Sequence, residues 1–176
     1  DLIANGILGD IFYRDNSKTC QWVEDRDFTY TRTFTVEKLE KNAYLEFDGL
    51  DTYCDIYLNG KRIGSTENMH IPHAFLVDGF LVEGDNKIQV IFRSAVREVA
   101  DLPLYPAAFT KERVRTRRIQ CTYFWDWVDR IVTCGIYRDV NIICEVAESH
   151  FALLDKSRCG VYVTSRTDGT VFGKSV

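Results

Sequence analysis

The sequence predicts an all-β protein that folds as an antiparallel β-sandwich. Three observations support this fold class. Apolar residues recur with a period of two in several short segments, as they do on strands with one buried face. Glycine, asparagine and aspartate cluster between these segments, where tight turns are expected. No long segment carries the 3.6-residue period of an amphipathic helix, which leaves strands to form the core.

The first predicted strand begins at Phe28 and ends at Val36. One face of this strand carries the apolar residues Phe28, Tyr30, Phe34 and Val36, and the other face carries threonines. This pattern is typical of a half-buried strand. Arg32 interrupts the apolar face, so we expect solvent or a charged partner at that point.

Two further strands are predicted at residues 43–47 and 87–93, the second entered through a turn at residues 84–86. Their alternating apolar residues are Ala43, Leu45, Phe47, Ile88, Val90 and Phe92. Between them, Asn59-Gly60 predicts a β-hairpin, because both residues adopt the positive φ angles that a type I′ turn requires.

The pattern changes after residue 93. Residues 94–118 form a long excursion that contains Pro103 and Pro106, and long loops in compact domains are usually functional or disordered. Period two returns weakly at residues 118–125 and more clearly at residues 136–144, which we expect to close the sandwich.

The last residues are expected to lie outside this domain. Residues 160–165 have the pattern of a new strand. We therefore predict a sandwich domain over residues 1–148, and over residues 149–176 a linker with the first strand of a following domain. The chain begins at Asp1 without methionine and stops in strand-like sequence, so we expect a piece of a longer protein.

Composition excludes several classes of protein. Apolar residues make up 45% and charged residues 27% of the 176 residues, which are globular values. No apolar run approaches the roughly 20 residues that cross a bilayer. The net charge of −4 provides no global field for nucleic acid. We therefore expect neither a membrane nor a nucleic-acid partner.

The cysteines and histidines do not predict a metal site. The six cysteines show no C-x-x-C pair, and the turn at Pro72 accounts better for His70 and His73 than a metal would. No glycine loop that would bind phosphate is present, so no cofactor is predicted. A domain of this size does not need disulfides, which favours reduced thiols and a cytoplasmic protein, with secretion as the open alternative. Cys54 and Cys144 are expected to be buried.

The cluster Trp125-Asp-Trp127 combines residue types that bind sugars. An indole can stack on the apolar face of a pyranose, and a carboxylate accepts hydrogen bonds from hydroxyls. Alternatively, the indoles pack in the core and Asp126 begins a turn, and the residue types leave both interpretations open. In a regular strand the indoles would share one face and Asp126 the other. Joint contact with one ligand therefore requires a bend.

The other charged residues predict neither a catalytic pair of carboxylates nor an anion-binding site. Glycoside hydrolysis needs two carboxylates about 5–5.5 Å apart for retention or about 6.5–9.5 Å for inversion. The acidic clusters at residues 24–27 and 48–55 have the pattern of turn and surface residues, and we expect no buried carboxyl with a raised pKa there. The basic run at residues 111–118 is expected to be a solvated loop or an interdomain salt-bridge patch, because the chain as a whole is acidic.

Several motifs along the chain resemble, in order, those of β-mannosidase-like glycoside hydrolases of family 2. The matching strings are Phe12-Tyr-Arg-Asp-Asn16, Gln21-Trp-Val23, Tyr30-Thr-Arg-Thr-Phe34, Leu45-Glu-Phe-Asp-Gly-Leu-Asp-Thr52, Tyr57-Leu-Asn-Gly60, Asn68-Met-His70, Gly84-Asp-Asn86, Trp125-Asp-Trp127 and Gly135-Ile-Tyr-Arg-Asp-Val140. They cover the chain to about residue 146. The resemblance implies an N-terminal sugar-binding domain with a jelly-roll β-sandwich similar to galactose-binding folds.

The resemblance also implies a function. In such enzymes an immunoglobulin-like domain and a (β/α)8 barrel follow, and both catalytic glutamates belong to the barrel, so no catalytic residue is expected in this chain. Carried over by position, Trp125 walls the glycone pocket and Asp126 binds sugar hydroxyls. The implied activity is that of a retaining exo-β-mannosidase acting on a β-mannoside.

Two departures from the family pattern bear on the site. Phe124 stands where the family usually has glycine, and Val128-Asp129 stands where it has Gly-Pro. Glycine would permit a tight turn, so Phe124 is expected to change how Trp125 is aimed. The alternatives are a carbohydrate-binding module or a purely structural module, including one from the β-galactosidase or β-glucuronidase branch.

Overall fold

The computed structural model describes residues 1–106 and 108–144, together with the backbone of two strands at residues 161–165 and 171–175. The strands are β1 Phe28–Val36, β2 Ala43–Phe47, β3 Leu50–Asp51, β4 Tyr53–Leu58, β5 Lys61–Glu67, β6 His73–Leu76, β7 Gly84–Phe92, β8 Tyr123–Trp125, β9 Val128–Arg130, β10 Gly135–Ile136, β11 Val140–Cys144, β12 Val161–Ser165 and β13 Val171–Ser175. The helices are α1 Asn16–Thr19, α2 Ala95–Glu98 and α3 Lys111–Arg115, with 3₁₀ turns at Gln21–Asp25 and Gln120–Thr122.

Two antiparallel sheets build the sandwich. One has the strand order β1-β7-β4-β5, and the other has the order β11-β2-β6. Shorter pairs join β10 to β3, β8 to β9 and β12 to β13. The predicted all-β class and jelly-roll sandwich are therefore confirmed.

The core lies between the two sheets, and the predicted alternation builds it. Phe47 and Leu45 from β2 pack against Ile56 from β4 and against Val90 and Phe92 from β7, and all five are almost completely buried. On β1 the threonines and Arg32 are exposed while the apolar residues are partly buried, as predicted. Burial of these large side chains is the main source of stability, at about 1.5–3 kcal/mol each.

The hairpin predicted at Asn59-Gly60 is confirmed. Leu58 pairs with Lys61 across the turn. Asn59 has φ 51° and Gly60 has φ 78°, the left-handed values of a type I′ turn. Asn59 also anchors the turn, because its Nδ2 donates to the Phe80 carbonyl at 2.8 Å.

Three strand predictions require correction. Residues 84–86 are already part of β7 and pair with β1 instead of forming a turn before it. The segment 136–144 is divided, because β10 pairs with β3 whereas β11 pairs with β2. Residues 118–125 form a strand only over their last three residues. The buried Arg118 and the 3₁₀ turn at Gln120–Thr122 break the alternation before that point.

The excursion after β7 contains short helices. Ser94 caps α2, because its Oγ accepts a hydrogen bond from the backbone of Arg97 at 3.1 Å. None of the helices in the described part of the chain is long and apolar enough to cross a bilayer.

The burial predictions for Cys54 and Cys144 have different outcomes. The five described cysteines are unpaired, and Cys159 lies outside the described residues. Cys54 is fully buried in the core, as expected. Cys144 is exposed, so the prediction that it is buried is wrong; it ends β11, whose last residue faces away from the core.

Candidate functional site

The Trp-Asp-Trp cluster forms the tip of a hairpin. Trp125 pairs with Val128 across β8 and β9, so Asp126 and Trp127 are the two residues of the turn. The bend required for a joint ligand contact is therefore present, and the cluster does not run along one regular strand.

The aromatic rings of the hairpin are in contact. The centroids of Trp125 and Trp127 are 5.3 Å apart with an interplanar angle of 58°, and Phe109 meets Trp125 edge-on at 5.6 Å. Trp125 is partly buried and does not belong to the buried core. Trp127 is 74% exposed and Phe109 is 78% exposed. The cluster is thus an aromatic surface open to solvent.

Asp126 is an exposed residue of this surface. Its side chain is open to solvent, and no described residue donates a hydrogen bond to its carboxylate or pairs with it. An ionised carboxylate has about four acceptor sites and no donor. A ligand that brings hydroxyl groups next to the indoles can therefore use these sites.

The backbone immediately before the cluster is in an unusual conformation. Phe124 has φ 83°, a region that L-residues with a Cβ adopt at a cost of roughly 1–2 kcal/mol. Its side chain is 55% exposed, so little burial compensates for that cost. The hairpin therefore has a glycine-like backbone although a phenylalanine occupies the position.

The base of the hairpin is fixed by buried contacts. Tyr123 is 1% exposed, and its hydroxyl forms a hydrogen bond with Thr116 at 3.0 Å. The guanidinium of Arg130, the cross-strand partner of Tyr123, lies over its ring and binds Glu24 and Glu112 at 2.7 Å each. Burial lowers the pKa of Arg130, but the two carboxylates outweigh it and raise the pKa above its ordinary value.

The N-terminal helix region anchors the other strand of the hairpin. Ser17 Oγ donates to the carboxylate of Asp129 at 2.6 Å. Gln21 Nε2 donates to the Arg130 carbonyl at 2.7 Å. A rigid base with an exposed tip is a suitable arrangement for presenting ligand contacts.

The structure corrects the prediction for the basic run. Arg118 is 3% exposed and forms an ion pair with Asp51 at 2.8 Å, within the same domain. Arg115 donates to the Pro103 carbonyl at 2.9 Å. The expectation of a solvated loop or an interdomain patch is therefore wrong for Arg118, whereas the hydrogen bond of Arg115 lies at an exposed position.

Asp51 also corrects the prediction for the acidic clusters. Burial raises the pKa of its carboxyl, and Arg118 with the hydroxyls of Thr52 and Thr133 offsets this only in part. Asp51 is 6% exposed, and its carboxylate is held by Arg118.

The described chain also holds a cavity that reaches the base of the hairpin at Arg130 but not its tip. Its volume is about 810 Å³, and its mostly apolar lining includes Leu2, Tyr30, Met69, Val132 and Tyr137. Trp125 and Asp126 do not line it. Among the described residues no group of three or more histidine, cysteine, aspartate or glutamate side chains could hold a metal ion.

Sequence reasoning missed one residue at the tip. The guanidinium of Arg113 lies over the Trp125 ring, 4.3 Å from its centroid, and over Phe109 at 5.5 Å. Arg113 and Trp125 are 12 positions apart, and Phe109 follows the loop that contains Pro103 and Pro106. No local spacing in the sequence indicates that these three side chains are in contact. Only the packing of α3 against the hairpin brings them together.

The chain resembles known proteins over most of its length. Residues 1–138 match the family model described as "Glycosyl hydrolase 2 galactose-binding domain-like". A β-mannosidase B of Thermothelomyces thermophilus is 31% identical over 182 residues, covering 94% of this chain and 21% of the relative. A probable β-mannosidase of Caenorhabditis elegans is 28% identical, covering 81% of this chain and 18% of the relative.

A solved structure has the same fold. The β-D-mannosidase from Dictyoglomus thermophilum superposes with a TM-score of 0.77 at 34% identity, covering 95% of this chain and 21% of that one. This chain thus spans about a fifth of the length of the relatives it matches. From its sequence, its fold and these matches, the chain belongs to the family of galactose-binding-like domains of glycosyl hydrolase family 2 enzymes.

Proposed function

We propose that this chain is the N-terminal sugar-binding domain of a retaining exo-β-mannosidase. In this proposal Trp125 walls the glycone pocket and Asp126 accepts hydrogen bonds from glycone hydroxyls. The observation that carries it is the Asp126 carboxylate, which has no partner among the described residues and lies at the tip of a hairpin whose two indoles are in contact. Charge-assisted hydrogen bonds of this kind are about twice as strong as neutral ones.

The mannoside is favoured by the named relatives. Those cited above, a fungal, an animal and a bacterial protein, are called β-mannosidases. A β-galactoside or a β-glucuronide is the alternative substrate, since those branches of the family share the fold.

The catalytic carboxylates are proposed to lie in a following (β/α)8 barrel. Several carboxylates of the described chain are already held by arginines, and a nearby arginine favours the ionised form of a carboxyl, which makes it a poor proton donor. The ion pairs are Glu24–Arg130, Asp27–Arg97, Asp51–Arg118, Asp55–Arg62, Asp55–Arg93, Glu98–Arg93 and Glu112–Arg130. The chain alone is therefore proposed to be inactive.

The proposal extends to partners and location. The domain is proposed to end at residue 148 and to be followed by an immunoglobulin-like domain, of which β12 would be the first strand. β12 forms a two-stranded pair with β13, which is compatible with that boundary. The five unpaired cysteines of the described chain favour a cytoplasmic location.

Hydrolysis by the full-length protein tests the proposal. Aryl β-mannoside, β-galactoside and β-glucuronide are offered to the full-length protein and to this chain alone. We expect the full-length protein to cleave the mannoside fastest and the chain to cleave none. Asp126→Ala is expected to lower kcat/KM for the mannoside by about 100-fold, because a desolvated hydroxyl loses a charged partner.

Asp101→Ala is the matched control, because Asp101 is exposed and lies outside the hairpin. An Asp126→Ala enzyme with unchanged kcat/KM would contradict the sugar contact. Mannoside binding by the isolated chain at millimolar concentration, weakened by Trp127→Ala, would instead favour an independent carbohydrate-binding module with the 74% exposed indole as its platform.

A further inference from the structure

We infer that Arg113 is a specificity-determining residue of the same site and donates hydrogen bonds to oxygen atoms of a neutral sugar while its guanidinium lies over Trp125. The inference rests on the proposed function, since it places the sugar at the hairpin tip. It adds a donor to a site for which only an acceptor and an aromatic wall have been assigned.

The position of Arg113 is imposed by its neighbours on α3. Glu112 forms an ion pair with Arg130 of β9 at 2.7 Å, with both side chains largely buried. Thr116, which follows the helix, bonds the Tyr123 hydroxyl of β8 at 3.0 Å. The helix is therefore tied to both strands of the hairpin on either side of Arg113.

The contact with Trp125 leaves the donors of Arg113 available. A guanidinium carries five N–H donors, and contact with a ring does not use them as hydrogen-bond donors to oxygen. No described residue accepts a hydrogen bond from Arg113 or forms an ion pair with it. By contrast, the donors of Arg115 and Arg130 are used by carbonyl or carboxylate oxygens.

The charges of the tip favour a neutral ligand. Asp126 adds a negative charge beside Trp125, and Asp126 and Arg113 are not paired with each other. An anionic substituent would gain from Arg113 but would be repelled by Asp126. A sugar hydroxyl donates and accepts at once, so an acceptor and a donor on one aromatic surface match its chemistry.

A double-mutant cycle on the full-length enzyme tests the inference. Arg113→Met keeps the aliphatic stem and removes the donors, and Arg113→Lys keeps the charge. Arg117→Met is the matched control, because Arg117 is an exposed arginine of the same segment. The substrates are an aryl β-mannoside and its 2-, 3-, 4- and 6-deoxy analogues.

We expect Arg113→Met to lower kcat/KM for the parent mannoside by about 10- to 100-fold, with partial recovery in Arg113→Lys and no change in Arg117→Met. The deoxy analogue that lacks the contacted hydroxyl should lower kcat/KM of the wild-type enzyme by the same factor. For the Arg113→Met enzyme, the same analogue should lower kcat/KM by less than about twofold. A purely structural role predicts an equal loss for every analogue, which would overturn the inference.

The outcomes separate this inference from the proposed function. If the full-length protein cleaves a glucuronide or galactoside better than a mannoside, the mannosidase proposal fails, and the cycle is run with deoxy analogues of that sugar. A wild-type preference for an anionic glycoside that disappears in Arg113→Met would overturn the neutral-sugar assignment. Full activity of Arg113→Met together with loss in Asp126→Ala would overturn the inference and leave the proposed function standing.

Discussion

The Nη2 atom of Arg118 lies 2.8 Å from Oδ2 of Asp51, and the two side chains are 1% and 9% exposed. This buried ion pair joins the end of the long segment after β7 to strand β3 of the sandwich. The Arg118 guanidinium also lies over the Tyr123 ring, 5.1 Å from its centroid. The hairpin of β8 and β9 therefore begins on a residue that contacts an ion pair of the domain interior.

Asp51→Ala is expected to lower the free energy of unfolding by about 3–5 kcal/mol, because it leaves the Arg118 cation buried without its partner. The double variant Asp51→Ala/Arg118→Met should lose less than Asp51→Ala alone, since no unpaired charge remains. Urea unfolding followed by fluorescence measures both. A double variant less stable than Asp51→Ala would show that the pair is not coupled in this way.

Asp55 is expected to make the domain sensitive to acid. Partial burial would raise the pKa of its carboxyl, but Arg62 and Arg93 outweigh burial and hold the pKa below its ordinary value of about 4. A lowered folded pKa contributes stability above the unfolded pKa, and this contribution is lost as pH falls through the folded pKa.

The corresponding experiment compares Asp55→Asn with the wild-type chain in urea from pH 7 down to about pH 2.5. We expect Asp55→Asn to be less stable by about 1 kcal/mol at neutral pH, with the two curves converging below about pH 4. Asp101→Asn, at an exposed carboxyl, serves as control. A constant difference across the range would exclude Asp55 as the titrating group.

Phe124→Gly is expected to raise the free energy of unfolding by up to about 1 kcal/mol. Glycine adopts a positive φ such as the 83° of Phe124 without steric strain. The strain energy that is removed should exceed the free-energy cost of the extra conformational entropy that glycine loses on folding. Phe124→Ala removes the same exposed ring but keeps the Cβ, so it should show no such gain. Equal stabilisation by alanine would assign the effect to the ring instead of the backbone.

The cysteines are expected to differ in reactivity. Burial raises the pKa of the Cys134 thiol to about 12 and that of Cys54 to about 11, whereas Cys121 is exposed. Because the thiolate is the reacting form, iodoacetamide at pH 8 should alkylate Cys121 and leave Cys54 and Cys134 unmodified until urea is added. Peptide mass spectrometry reads the result. Early alkylation of Cys134, which is partly buried, in the folded chain would contradict this prediction.

Local sequence patterns determined the strands of the sandwich. The alternation of Leu45 and Phe47 in β2, and of Val90 and Phe92 in β7, predicts the core correctly, because a period of two places every second side chain on the buried face regardless of the partner strand. The Asn59-Gly60 turn follows from backbone preference alone. The motif at Trp125 to Trp127 also marked the candidate site before any geometry was known.

Only the tertiary structure decided which charged residues enter the site and which enter the core. Arg113 and Arg118 have the same residue type and lie in the same basic run, yet Arg113 lies over the partly buried indole of Trp125 whereas Arg118 is buried against Asp51. Their partners are distant in sequence, and an arginine carries no local signal of whether a distant carboxylate or ring will meet it. The sequence by itself therefore determined the strands and the motif, whereas long-range packing decided the partners of the arginines, since such contacts form only when separate segments pack together.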